Sequence, residues 1–252
     1  MRVFGAMGVP SHYQELKNIL RWRMVGADWG WQLPQGPDGS VLLKETIGPF
    51  TAAESSFNPV EVLLRAGFPP QRLQVVIMGR ATLSAWASWD AWDGRWTDVA
   101  KFALAYETTE RVRLQAYGLG IPTTVLVYEA IRDNDAETVV ARLFERLGVS
   151  YRPIAVKGWH RLPGLGHPGS GVVFPEEPAV FMVPGVHARV ENADGLVYFS
   201  RSLSISCLQT GDVREIARSG VRGIYEGWRL ACEKDIRVHV ERDGEWDLVR
   251  VT

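Results

Sequence analysis

The sequence predicts an α/β fold, with a Rossmann-like, mostly parallel sheet over residues 1–158 and a β-rich α+β extension over residues 159–252. Three observations carry that reading. Two short apolar runs, Arg2-Val3-Phe4-Gly5-Ala6-Met7-Gly8 and Leu73-Gln74-Val75-Val76-Ile77-Met78-Gly79, end in glycine and open into polar or helical stretches. Strand-like and helix-like segments then alternate to residue 156, the pattern of a sheet covered by crossover helices. After Gly158 the pattern changes, with breakers crowding residues 160–171.

Taken in order, residues 2–7 read as a buried strand. Ser11 and Gln14 form a capping box that starts a helix over 11–20. Residues 29–48 place Pro34, Gly36, Pro37, Asp38 and Gly39 between two apolar runs and read as an exposed hairpin or excursion. Asn58 and Pro59 supply an N-cap and a first-turn proline for a short helix that ends at Gly67. A strand follows over 73–78. Helices are predicted over 82–92 and 97–118, the second placing Val99, Phe102, Ala103 and Tyr106 on one face. Residues 123–128 are a β-prone run. Asp133-Asn134-Asp135 then caps an amphipathic helix over 136–147, stopped by Gly148, and a strand is predicted over 151–156.

In the second part, Pro163, Gly164, Gly166, Pro168, Gly169 and Gly171 make residues 160–171 a loop. Short β-prone runs follow at 171–174, 179–183, 186–190 and 195–200. A helix over 212–234 and a hairpin of 236–241 with 246–251 around Asp243-Gly244 complete the chain. There is no internal repeat and no low-complexity tract.

Composition narrows the function. With 252 residues, 46% hydrophobic and 23% charged, the chain can bury a large core and is globular. A net charge of -1 supplies no general attraction for polyanions, so duplex nucleic acid is not an expected partner. No apolar run reaches the ~20 residues that span a bilayer. Two cysteines, Cys207 and Cys232, and the lack of a leader pattern point to a reduced cytoplasmic setting. Among the 10 tryptophans, Trp22, Trp29, Trp31, Trp86, Trp89, Trp92 and Trp96 all fall in the first hundred residues. Core packing is the ordinary use of such rings.

The leading candidate site is a phosphate or nucleotide crevice at the carboxyl ends of the two strands, where small residues admit a ligand. Its ligand-binding residues are Gly8, Ser11, Tyr13, Gly79, Thr82 and Ser84, with His12 and Arg80 as candidate catalytic groups. Helix-start N–H groups bind anions and arginine pairs with phosphate oxygens. Neither loop matches G-x-G-x-x-G or the Walker pattern. His160 and His167 are further catalytic candidates, His167 through the Arg-x5-His spacing it makes with Arg161, as in helical ribonuclease motifs, and both as histidines of the glycine-rich loop that could serve a hydrolase. Pro163 and two glycines, however, favour a loop over that helix. Ser200, Ser202, Ser204, Ser206 and Cys207 lack a nucleophile elbow. His160, His167, His187, Glu176 and Glu177 lack zinc-motif spacing, so no metal and no cofactor is expected. Arg214, Arg218, Arg222 and Arg229 read as a solvated helix face.

Gly5-Ala-Met-Gly8 with Tyr13, the helix before the second strand, and the turn Gly79-Arg80-Ala-Thr82-Leu-Ser84 followed by Trp86 resemble the CARF group of CRISPR-associated Rossmann-type sensor domains. The resemblance covers roughly residues 1–156 by its order of elements. It implies a homodimer in a defence setting that binds a cyclic oligonucleotide on its two-fold axis and can cleave the ring as a metal-independent phosphodiesterase. Two other readings stand beside it. One is a non-enzymatic interaction or assembly protein anchored by exposed tryptophans at 29–31 and 86–96. The other is a hydrolase with residues 160–171 as a lid.

Overall fold

The computed structural model describes residues 1–30, 39–93, 98–182, 188–196, 208–242 and 244–247. It is a mixed helix and strand protein with small parallel sheets, the α/β class that the alternation predicts. Its elements are α1 (Arg2–Gly5), β1 (Ser11–Tyr13), α2 (Glu15–Met24), β2 (Leu42–Lys44), α3 (Ala52–Ser55), α4 (Pro59–Arg65), β3 (Val75–Gly79), α5 (Thr82–Asp93), α6 (Val99–Gly118), β4 (Thr123–Val127), α7 (Tyr128–Asp133), α8 (Ala136–Leu147), β5 (Val172–Val173), α9 (Ala188–Glu191), α10 (Thr210–Arg218) and α11 (Val221–Ile236). No described helix is long and apolar enough to cross a membrane.

The chain forms two compact units, one from Met1–Thr46 with Gly148–Val197, the other from Ile47–Leu147 with Tyr198–Thr252. In the first, β1 is the central strand of a parallel sheet in the order β2-β1-β5. Ser11 pairs with Leu42 on one side and Val172 on the other. The expected strand over 2–7 is instead the helical turn α1, whose Phe4 and Gly5 amides donate to the Met1 carbonyl. A short apolar run does not by itself separate strand from helix. Here Gly5 packs so closely that a Cβ would stand 2.8 Å from the Ser170 carbonyl oxygen. The expected helix over 11–20 likewise begins later. Residues 11–13 are the strand, and Gln14, in the left-handed region at φ 53°, turns the chain into α2.

In the second unit, β3 and β4 run parallel in register, from Val75 opposite Thr123 to Gly79 opposite Val127. α11 packs on β4, and a Cβ on Gly79 would meet the Trp228 ring at 2.8 Å. The Trp228 indole donates to Glu110 and its ring stacks on Tyr106. Trp86 and Trp89 meet Phe102 edge-on, and Trp86, Phe102 and Trp228 are buried. These tryptophans are core payload. Two sequence-predicted caps are in place, Asn58 accepting from Glu61 N and Asp135 from Thr138 N, whereas the Ser11–Gln14 capping box does not form, because Ser11 lies in β1 and Gln14 makes no side-chain cap to α2.

Other expectations are corrected. Pro153 and Pro178 each open or precede a single 3-10 turn, Pro153–Ala155 and Ala179–Phe181, where strands were expected over 151–156 and 179–183. Residues 188–190 of the run 186–190 belong to α9. Within the expected hairpin or excursion of 29–48, residues 42–44 form β2, which pairs in parallel with β1, and residues 31–38 lie outside the described residues. The helix expected over 212–234 is two helices, α10 and α11, divided at Gly220 in a left-handed conformation. Residues 237–242 form no strand, and Gly244–Asp247 is a 3-10 turn rather than a hairpin arm. Trp31, Trp96, His187, Cys207, the serines at 200–206, and residues 243 and 248–252 lie outside the described residues.

Candidate functional site

The parallel register of β3 and β4 brings the residues after Gly79 and after Val127 to the same sheet end, where α/β ligands bind. Arg80 follows β3 and Tyr128 follows β4, and the guanidinium carbon lies 4.8 Å from the Tyr128 ring centroid. The Arg80 carbonyl accepts the Tyr106 hydroxyl at 2.7 Å, which fixes its backbone, while its Nε is buried without a hydrogen-bond partner. Thr82 opens α5, is fully buried, and its Oγ1 also has no partner. The indole N–H groups of Trp86 and Trp246 are in the same condition.

Two carboxylates serve the start of α5. Glu129 accepts from Ala81 N at 2.9 Å and from the Tyr225 hydroxyl at 3.0 Å. Burial raises the Glu129 pKa above the usual carboxylate range, with the Ala81 and Tyr225 hydrogen bonds acting against it. Glu245 accepts from Ser84 N at 2.9 Å and from the Ser84 hydroxyl. The helix-start amides at Ala81 and Ser84 are thus satisfied, and the unsatisfied atoms are side-chain donors. Buried polar atoms are nearly always paired, and these four donors are among several buried side-chain atoms without a partner.

The first unit holds a second polar cluster at the carboxyl ends of β1 and β2. α2 turns Glu15, Lys17, Asn18 and Arg21 inward with Leu16, where a packing helix would present an apolar stripe. Glu45 accepts from Leu16 N at 3.0 Å and Lys17 N at 3.1 Å. Desolvation lifts its carboxyl to about 7 against those hydrogen bonds. Desolvation also lowers the Lys44 ammonium to about 8, and its Nζ lies 4.6 Å from the Tyr13 ring centroid. Burial and then Glu177 push the Tyr13 phenol up to about 12. Arg21 pairs with Glu177 at 2.9 Å. Asn18 donates to the Glu176 carbonyl at 2.8 Å, leaving its Oδ1, like Gln14 Oε1, without a partner.

The sequence-predicted site residues are therefore distributed between the units. Gly79, Arg80, Thr82 and Ser84 lie together at the β3 end and α5 start. Ser11, His12 and Tyr13 form β1, where His12 Nδ1 lies 3.2 Å from Glu15 Oε1 and Ser11 donates to the Val9 carbonyl. Gly8 precedes β1, its amide closing the α1 turn onto Gly5. The exposed His160 pairs with Asp194, and that hydrogen bond holds the Asp194 carboxyl below its usual range. His167 Nδ1 accepts from Gly169 N at 3.0 Å and caps the turn Pro168–Ser170, so its imidazole has a local structural use. The Arg161 to His167 stretch forms no α-helix, Arg161 closing the 3-10 turn Trp159–Arg161. Among the described residues no group of three or more His, Cys, Asp or Glu is placed to hold a metal. Cys232 is buried, with its thiol pushed up to about 11 by burial, and is no nucleophile.

Sequence reasoning missed Tyr128, Glu129, Glu245 and Trp246 in one unit, and Lys44, Glu45 and Arg21 in the other. A signal existed for four of them. Tyr128-Glu129 and Lys44-Glu45 stand at or directly after apolar β-prone runs, as Arg80 does. Comparison with protein-family models, curated proteins and solved structures gives no significant match to this chain.

Proposed function

We propose that the chain binds a phosphate-bearing small molecule at the carboxyl end of the β3 and β4 pair, a Rossmann-like use of the strand ends. One observation carries the reading: Arg80 Nε, two residues before the first residue of α5, and Thr82 Oγ1, on that first residue, are buried and unpartnered. An anion with several acceptor oxygens would satisfy both, and the guanidinium would supply the opposite charge. The Tyr128 ring under Arg80 and the buried Trp86 give the site an apolar flank. A cyclic oligonucleotide bound by a homodimer is the ligand that the sequence resemblance of the turn Gly79–Ser84 to the CARF group favours, although residues 2–5 are helical where that resemblance expected a strand. The site holds donors and no evident nucleophile, so binding is its primary act. Any ring opening would rest on the ribose 2′-hydroxyl of the ligand itself, positioned by these donors.

The test is thermal stabilisation of the protein by a panel of mononucleotides, dinucleotides and cyclic oligonucleotides, with each stabilising mixture analysed for product. At 100 times its Kd a ligand adds about 2.7 kcal/mol of stability. Arg80→Ala is expected to abolish the shift while leaving the circular dichroism spectrum unchanged. Stabilisation that survives in Arg80→Ala would remove the site from consideration.

A further inference from the structure

We propose that Glu245 is an internal occupant of this anion site, a carboxylate latch that the ligand must displace. The inference rests on the proposed anion site and concerns its regulation. α5 begins without a local cap, because the residue before Thr82 is Ala81, which has no side-chain oxygen to offer the helix-start amides. Two carboxylates from far along the chain do that work. Glu129 is fixed, being buried at 3% exposure and tied to both Ala81 N and the Tyr225 hydroxyl.

Glu245 is held differently. It is half-buried and sits in the one-turn 3-10 segment Gly244–Asp247 beside exposed Gly244. Its two oxygens grip Ser84 from both sides, one on the amide at 2.9 Å and one on the hydroxyl. That is the pattern in which two oxygens of a phosphate would engage the third residue of a helix. The latch is incomplete as a substitute, since Thr82 Oγ1, Arg80 Nε and the indole nitrogens of Trp86 and Trp246 remain unpartnered. A larger anion that reached Ser84 together with Thr82 and Arg80 would satisfy more groups than Glu245 does. Trp246, with Arg222 5.4 Å above its ring, would be carried with Glu245 when the turn moves.

A latched site binds more weakly than an open one by the fraction of molecules in which the latch is released. Removing the carboxylate should therefore tighten anion binding. The measurement is calorimetric titration of inorganic pyrophosphate and of ATP into the full-length wild type, Glu245→Ala, Glu245→Gln, and Glu245→Ala combined with Arg80→Ala. Circular dichroism and thermal melting serve as the check of folding. Expected is about tenfold or greater tightening in Glu245→Ala, the amount by which a site latched nine-tenths of the time is weakened, and its loss in the double variant. The amide variant, which preserves side-chain size, should tighten binding by less and keeps the test available if the alanine variant fails to fold. Equal or weaker binding in the folded variants than in wild type overturns the latch and leaves the anion site standing. Tightening that persists in the double variant also overturns it, by placing the bound anion elsewhere. Absence of binding in wild type and in every folded variant overturns the anion site itself.

Discussion

Glu45 accepts two backbone N–H groups from the first turn of α2, an arrangement that ordinarily favours the ionised carboxylate, yet desolvation prevails and its carboxyl stands at about 7. Linkage gives the sign. A carboxyl raised from 4.5 to about 7 on folding contributes stability that is fully present below 4.5 and is lost as pH rises through about 7. Lys44, lowered from 10.5 to about 8, contributes stability present above 10.5 that is lost as pH falls through about 8. Both groups are charged and desolvated between about 7 and 8, where their mutual attraction and Lys17 give only partial relief. Glu45→Gln should therefore flatten the decline of melting temperature between pH 4.5 and 7.5, by at most on the order of 3 kcal/mol at the upper end. Identical pH slopes for wild type and variant would mean that Glu45 titrates as an exposed carboxylate.

Elements in the second unit are joined at the site by buried side chains. Glu129, in the first turn of α7, holds the turn between β3 and α5 through Ala81 N, and holds α11 through Tyr225. Glu129→Ala removes the acceptor of the Ala81 amide and one acceptor of the Tyr225 hydroxyl, and a buried donor deprived of its acceptor costs about 1–3 kcal/mol. A fall in melting temperature larger than that of Glu129→Gln, which retains one acceptor, is the expected outcome. Melting temperatures of both variants equal to that of wild type would show that the bridge carries no stability. Such bridges mark the limit of what the sequence discloses. α4, β3, β4 and α8 are legible because each joins an apolar run or period to a local boundary, Asn58-Pro59, Gly79, Pro122 or Asp135, while α5 and α6 are legible from their helix-forming composition. Residues 2–7 and 151–156 depart from the expected strands because segments of six residues fit either period, and the long-range packing of Gly5 and the proline at 153 decide the conformation. The division of α10 from α11 has a local signal in Ser219-Gly220, against which the continuous helical spacing of 212–234 argues for one helix. In the site, Arg80, Thr82 and Ser84 could be read from the strand-to-helix turn. Glu245 could not, since nothing local links it to a residue 161 positions away.

At the scale of the whole molecule, the chain passes between its two units at 46/47, 147/148 and 197/198, so each unit is assembled from separated segments. A fragment ending at Gly158, where the sequence changes character, would keep β1 and α2 but lose β5 from one edge of β1. It would also lose the Trp159 and Pro163 carbonyls that accept from Arg2, and Glu177, the partner of Arg21. In the other unit β4 would lose α11, with Trp228 against Gly79 and the Tyr225 hydroxyl on Glu129. Each loss exposes apolar surface or strands a buried charge, and stability of a domain is a small difference between large terms. Residues 1–158 produced alone are expected to be insoluble, or to lack a cooperative thermal transition. Co-production with residues 159–252 should restore a soluble pair that melts cooperatively, because the missing strand, helices and polar partners are all in the second piece. A soluble 1–158 fragment with a sharp melting transition and bound ligand would show instead that the first part carries its own fold and site without α11.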